Sequence, residues 1–370
     1  MKRRPSSTAV KAVLIEDSQP DLDDVRIELE AAGQLAVVGI IYKGLFETIR
    51  QVTAAKPDVI LVDFRLVKGK HPQNVEPTQG STLAALFKEK ARMPDTPVFL
   101  VSEGSLSQKD PLLHIKAEPR FFDDLLIKGE IQKDPRAAVE RIRAVVAGYG
   151  RLSSVSKRTR KTLMDLLGAG EAELDSLMKS EPPAALATGD AWDVTEVAQW
   201  IRHTLMGYPG VLYDDLTAAC FLGLSLDSFR SKNIAGFFEE ASYTGPFCEE
   251  EARWWKARLL AKATSYLTDA GEAGPPMAFG QTWRRKRRLR ITLSRCNSSG
   301  EEPADCVCCL LREAVRREYS LPYVPDGRPA VMDEARVSFK AIRQPHRDFD
   351  PGLVAADARP LVRGIQKQTK

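Results

Sequence analysis

The chain has 370 residues, 43% of them hydrophobic and 28% charged, and a net charge of +4. That composition suits two or three globular domains and excludes a wholly disordered chain; the mild charge implies no partner by itself, so the placement of the basic residues must decide that question. Met1-Lys-Arg-Arg4 opens a polar start without the apolar core of a signal peptide, no apolar run reaches the roughly eighteen residues of a membrane span, and six cysteines without a secretory signal suggest reduced thiols. A cytoplasmic protein with no membrane partner is expected.

In chain order, Lys11 to Ile15 reads as a short buried strand ending in Glu16-Asp17, and Asp21 to Ala32 as a helix with acidic residues in its first turn. Leu35 to Tyr42 is β-branched and apolar, and Leu45 to Ala55 has helical spacing. Asp58 to Val62 is a second buried strand, ending in Asp63. Ser81 to Arg92 supplies a helix, Val98 to Val101 a strand, Phe121 to Ile127 a fifth strand and Pro135 to Ala147 a closing helix. Five strands alternating with helical connections predict a doubly wound parallel sheet covered on both faces.

In such sheets ligands bind beyond the carboxyl ends of the strands, where strand order reverses. Those ends carry Glu16 and Asp17, then Asp63, then Ser102, then Lys128. Carboxylates converging at one edge repel one another unless a cation sits among them, and an all-oxygen set that leaves room for phosphate and water suits Mg²⁺. A lysine and a hydroxyl opposite are what a phosphoryl group requires. A lone aspartate such as Asp58 or Asp95 would be read as a turn or capping residue; the five together point to a site.

Val13-Leu-Ile-Glu-Asp17, Lys56-Pro-Asp-Val-Ile-Leu-Val-Asp63, Pro97-Val-Phe-Leu-Val-Ser102 and Leu126-Ile-Lys128 resemble, in order and spacing, the signature segments of the two-component response-regulator receiver family over residues 10–150. The resemblance implies a flavodoxin-like fold in which Asp63 accepts a phosphoryl group from a histidine kinase or phosphotransfer protein. It further implies that Glu16, Asp17 and Asp63 hold Mg²⁺, that Lys128 pairs with the phosphate, and that Ser102 is the hydroxyl that moves toward it. Four departures stand beside it. Phe64 to Gly80 is longer than the family's usual connection, as is Glu103 to Arg120; Gly129 follows the lysine where the family has proline; and Leu125 stands where a switch aromatic is expected, with Phe121 and Phe122 just upstream.

Beyond residue 150, Arg151 to Lys161 reads as a linker or helix extension, 162–280 as a helical output region and 281–370 as a basic, cysteine-containing region of unknown fold. Val194 to Met206, Tyr213 to Leu222, Leu226 to Phe238 and Cys248 to Leu267 are expected to be helices, giving a mainly α-helical output. Ala219, Gly223 and Phe229 have the spacing of a helix-turn-helix, with Ser225 as cap and Arg230 and Lys232 near phosphates, although a plain packing hairpin fits the following Phe237-Phe238-Glu-Glu240 better. Arg284, Arg285, Lys286, Arg287, Arg288 and Arg290 form a run able to neutralise phosphates without reading sequence, or equally a solvated tether or an arm that docks on an acidic face of the N-terminal domain. Cys296, Cys306, Cys308 and Cys309 invite zinc but lack paired knuckles, so thiols buried on the face of a helix running through Leu310 to Arg317 are preferred.

The expected function is therefore that of a response regulator switched at Asp63, with an output that binds nucleic acid or protein; a homodimer is compatible with it. The alternatives are a phosphorylation-gated or degenerate-receiver adaptor, served by Phe221, Phe237, Phe238, Trp254 and Trp255 if exposed, or an effector enzyme of unrecognised class. No nucleophile, phosphate loop or carboxylate pair accompanies His203 or His346, so no catalysis is expected beyond the phosphoacceptor and autodephosphorylation chemistry of the receiver.

Overall fold

The computed structural model describes residues 9–66, 78–89, 93, 95–103, 121–287, 290–324, 332–344, 346 and 349–367. Most of the two long segments after Asp63 and Ser102 (67–77 and 104–120), residues 90–92 of the helix expected over Ser81 to Arg92, and Arg288 lie outside them. The chain divides into two compact units, one of Met1–Thr162, Gly189–Gln199 and Pro246–Glu250, the other of Leu163–Thr188, Trp200–Gly245 and Glu251–Lys370.

The first unit begins β1 (Val10–Glu16), α1 (Gln19–Ala31), β2 (Leu35–Ile41), α2 (Leu45–Ala55) and β3 (Val59–Asp63). After β4 (Arg65–Leu66) and β5 (Thr78–Gln79) it continues with α3 (Gly80–Glu89), β6 (Val98–Ser102), β7 (Asp124–Ile127), α4 (Lys128–Lys133) and α5 (Pro135–Ser153). β1, β2, β3, β6 and β7 form a parallel sheet in the order β2-β1-β3-β6-β7. This is the doubly wound, flavodoxin-like order, whose reversal falls between β1 and β3. Central strands β3 and β6 are buried along their whole length, which is why they read as unbroken apolar runs instead of alternating ones.

Two local features frame the sheet. β4 and β5 pair antiparallel, Arg65 opposite Gln79 and Leu66 opposite Thr78, so the long segment after Asp63 leaves and returns through a short ladder. Helix α5 starts at Pro135 with Asp134 capping the Ala137 amide at 3.0 Å, and runs six residues beyond the expected Ala147. Tyr149 in that extension meets Phe247 edge to face, their centroids 6.0 Å apart.

The chain then continues α6 (Arg160–Leu167), α7 (Glu171–Lys179), α8 (Ala184–Thr188), α9 (Val194–Gln199), a π-helical turn (Trp200–Leu205), β8 (Leu212–Asp214), α10 (Asp215–Phe221), α11 (Leu226–Arg230) and α12 (Lys232–Phe237). β9 (Arg253–Trp255), α13 (Lys256–Asp269), α14 (Ala278–Arg287), β10 (Cys306–Cys308), β11 (Glu313–Val315), β12 (Ser320–Tyr323), β13 (Ala335–Ser338), α15 (Phe339–Arg343) and α16 (Arg359–Lys367) complete it. The second unit is helix-rich and also holds a four-stranded sheet, β11-β10-β13-β12, and the antiparallel pair β8-β9. One core gathers Phe229, Phe238, Trp254, Phe279 and Trp283; a second lies against the sheet around Cys308, Val337 and Ile342.

Several expectations for this half are corrected. Residues 212–214 are a strand leading into α10, and the expected helix from Cys248 is a turn followed by β9 before α13 begins at Lys256. The single helix over 226–238 breaks at Ser231, whose ψ of 144° is extended. The helix through Leu310 to Arg317 is instead the hairpin β10-β11. Its turn contains Arg312 at φ 52°, a left-handed residue that is not glycine, so no turn signal marks it in the sequence.

Candidate functional site

The carboxyl ends of β1 and β3, at the topological reversal, bring one carboxylate oxygen from each of Glu16, Asp17 and Asp63 within 4.8 Å of one another. Among the described residues this is the one group of three or more acidic, histidine or cysteine ligands that converges so closely. Each lies at or just beyond a strand end because its strand is a short apolar run stopped by a residue that cannot be buried unpaired. Glu16 is 1% exposed and Asp63 9%.

Lys128 comes from the junction of β7 and α4. Its Nζ lies 2.8 Å from Glu16 Oε1, 3.3 Å from Asp63 Oδ1 and 3.0 Å from Glu103 Oε1. Burial and the neighbouring charge of Asp63 push Glu16 up to about 7, against the opposing pull of Lys128. Burial likewise raises Asp63, opposed by Lys128 and by the Arg65 amide, which donates to Asp63 Oδ2 at 2.9 Å. Burial alone would lower the Lys128 ammonium, but its hydrogen bond to Glu16 and the charge of Asp63 outweigh that and hold it above its ordinary value.

The remaining walls come from backbone. Ser102, the last residue of β6, is buried beside Ile127 in register. Gly80 opens α3 against the end of β3; a Cβ there would fall 2.5 Å from the Asp63 carbonyl oxygen, and its amide donates to Phe64 O at 2.8 Å. Glycine is therefore required by close approach, not by its φ. Three carboxylates, Glu16, Asp63 and Glu103, contact the Lys128 ammonium, and Asp17 converges with the first two. Convergent hard, anionic oxygens are the donor chemistry of a Mg²⁺ site, so Glu16, Asp17 and Asp63 fit the ion the sequence implies.

Sequence reasoning placed Glu16, Asp17, Asp63, Ser102 and Lys128 at this edge, and the fold brings them there. It missed Glu103 and Gly80. Glu103 carried a usable signal, since it follows Ser102 at the carboxyl end of a strand; Gly80 carried none without the backbone path of β4 and β5.

The other predicted residues belong to the second unit. Arg284, Arg285, Lys286 and Arg287 are exposed in the last turn of α14, where cations complement the helix dipole; Arg285 pairs with Glu272, and Arg287 lies 5.3 Å from the Trp283 ring centroid. Arg290 is exposed and, with Ser228, Ser231, Asn233 and Thr292, lines a surface cleft of about 340 Å³. Trp283 itself is in the core. The helix-turn-helix spacing has a partial counterpart: Gly223 has φ +70°, and Ser225 caps the Ser228 amide at 3.3 Å. However, α11 is one turn long, packs Phe229 into the core, and has Arg230 paired to Asp215 at 2.6 Å. The adaptor patch is corrected too, since Phe238, Trp254 and Trp255 are buried and Phe221 and Phe237 pack against the core.

The four C-terminal cysteines sit in and around the sheet, not on a helix. Cys296 and Cys308 are buried, their sulfurs accepting from the Arg316 and Ser338 amides at 3.4 Å each. Burial pushes Cys306 up to about 11 and Cys309 up to about 12, which keeps them as neutral thiols.

No protein-family profile and no curated protein sequence matches the chain at a significant level. Solved structures do. The chain is similar to a DNA-binding response regulator of the LuxR family from Staphylococcus aureus, at 17% identity over 37% of this chain and 98% of that one, with a TM-score of 0.28. It is also similar to the chemotaxis response regulator CheY4 of Vibrio cholerae, at 16% identity over 36% and 99%, with a TM-score of 0.27. A third is the isolated receiver domain of RcsB from Salmonella enterica serovar Typhimurium with phosphomimetic beryllofluoride, at 16% identity over 36% and 88%, with a TM-score of 0.28. The first unit has the receiver fold, on the strand order of its own sheet.

Proposed function

We propose that the first unit is a Mg²⁺-dependent phosphoacceptor switch, with Asp63 as the acceptor, and that its phosphorylation controls the output of the second unit. The observation that carries this reading is the convergence of Glu16, Asp17 and Asp63 around Lys128 at the reversal of the sheet. One oxygen of Asp63 forms a bond to phosphorus while the P–N bond of a phosphohistidine, or the P–O bond of a small acyl phosphate, breaks. The electron pair leaves on the donor's imidazole nitrogen or carboxylate.

Glu16, Asp17 and Asp63 would hold Mg²⁺, which when bound supplies neutralising charge for the phosphoryl oxygens. Lys128 exchanges a carboxylate contact for a phosphoryl oxygen, and Ser102 donates its hydroxyl to another. The partner is a histidine kinase or a phosphotransfer protein. Acetyl phosphate with Mg²⁺ should retard wild-type protein on a Phos-tag gel and leave Asp63→Ala unshifted; an equal shift in both, or none in wild type with either acetyl phosphate or a kinase, argues for a receiver-shaped interaction module.

For the output, a nucleic-acid reading is favoured by one observation: the cationic last turn of α14, together with the Arg290 cleft and its hydroxyls, makes a surface suited to phosphates rather than to base edges. Binding of this kind is steeply salt-dependent and insensitive to sequence, and replacing Arg284, Arg285, Arg287 and Arg290 by Ala should abolish it.

A further inference from the structure

The second unit contains a cavity of about 410 Å³, in the size range of small-molecule sites. It opens where α10 and β8 face the β10-β11 hairpin. Its lining is chemically divided. Tyr213 and Cys220, almost fully buried, form the base together with Phe221, Cys306 and Val307. These thiols are kept neutral by burial, so the base presents aromatic and thiol surface without charge. Arg312 and Arg317, whose side chains are 53% and 64% exposed, stand at the mouth with Lys256.

The mouth's acceptors are more fully engaged than its donors. Asp333 accepts from Tyr213 Oη and Lys256 Nζ, and Glu334 from Arg336 and Arg317. Asp305 accepts from the Arg317 backbone amide at 3.1 Å. A guanidinium offers five N–H donors. Among the described residues, the Arg317 guanidinium reaches only Glu334, at a long 3.5 Å, and that carboxylate is already held by Arg336; Arg312 hydrogen-bonds Asp214 through one nitrogen. Spare capacity at the mouth is therefore cationic and fork-shaped, above an uncharged floor.

We propose that this cavity binds a small organic acid with a flat, apolar body, its carboxylate held by Arg317 and Arg312 and its ring inserted between Tyr213, Phe221 and the thiols. Such a site would give the second unit a chemical input of its own, independent of the phosphoacceptor reading of the first.

The test uses the full-length protein with 2-naphthoate as probe and the neutral 2-naphthamide as its control. Maleimide labelling followed by peptide mass spectrometry reads the accessibility of Cys306 and Cys309, with Cys248, which belongs to the other unit, as internal reference. The acid should protect Cys306 and Cys309 and leave Cys248 unchanged. Protection should need roughly tenfold more amide than acid, and roughly tenfold more acid in Arg317→Ala, because a charge-assisted hydrogen bond is lost in each case. Arg317→Ala removes an exposed side chain with one long contact, so folding is retained. Absence of protection by the acid, equal protection by acid and amide, protection unchanged in Arg317→Ala, or equal protection of Cys248 would each overturn the proposal.

Discussion

Lys128 Nζ bridges Glu16 Oε1, at 2.8 Å, and Asp63 Oδ1, at 3.3 Å, tying together the ends of two adjacent parallel strands from a third element. A buried ammonium between carboxylates contributes less by attraction than it prevents in repulsion, so its loss is costly. Lys128→Met should destabilise the first unit by about 3 kcal/mol in chelator, measured by urea unfolding, and Mg²⁺ should restore part of that. Unchanged stability would mean that water already solvates the cluster.

Glu103 contacts the same ammonium at 3.0 Å, and under the proposed function a phosphoryl group arriving at Asp63 would have to compete with it there. Its side chain is 75% exposed, so neutralising it removes a contact without opening the core. Glu103→Gln should increase the rate of labelling by acetyl phosphate severalfold at constant Mg²⁺, followed on Phos-tag gels over time. A slower rate would place Glu103 among the groups that assist the transfer.

A second buried polar group holds the opposite end of the sheet. Asp123, 1% exposed, accepts from the Val98 amide at 2.8 Å, from Lys88 Nζ at 3.2 Å and from Tyr149 Oη, joining α3, β6 and α5. Asp123→Ala leaves the Lys88 ammonium without its counter-charge and should cost about 3–5 kcal/mol, whereas Tyr149→Phe removes the hydrogen bond donated to Asp123 and the long one accepted from Lys88 and should cost about 1–2 kcal/mol. Chemical denaturation of the two variants separates these outcomes.

In the second unit, Asp214 is buried, which alone would raise its carboxyl; the charge of Arg312 and the Thr217 amide, which it caps at 2.7 Å, together hold it below its ordinary 3.8. A carboxyl depressed by folding contributes stability that is complete above its unfolded value and is lost as pH falls through the lower, folded one. Asp214→Asn should therefore destabilise the unit at neutral pH by about 1–2 kcal/mol, with the difference from wild type shrinking as pH falls below about 4. A difference that is constant with pH in thermal unfolding would assign the effect to packing instead.

The parallel sheet was legible because β1, β3 and β6 are largely buried apolar runs that end in the polar residues Glu16, Asp63 and Ser102, so they announce both their extent and their site. Glu103 was readable by the same rule but has no family signature to mark it. Less could be read past residue 150. The Trp254-Trp255 strand is only three residues long and sits directly before a helix, so its apolar character merges with helical spacing. At β10-β11, the turn depends on Arg312 in a left-handed conformation, which a sequence would normally signal with glycine or asparagine. The aromatic residues of 221–255 gave no sign of being core instead of surface, because hydrophobicity alone does not distinguish a second core from an interface.

The most direct test of the account is chemical identification of the acceptor. Full-length protein incubated with acetyl phosphate and Mg²⁺ is reduced with borohydride, which converts an aspartyl phosphate to homoserine, and the peptides are sequenced by mass spectrometry. The account predicts homoserine at residue 63, dependent on Mg²⁺ and on Lys128. Homoserine at another aspartate, or none anywhere while a known receiver treated in parallel is labelled, would contradict it.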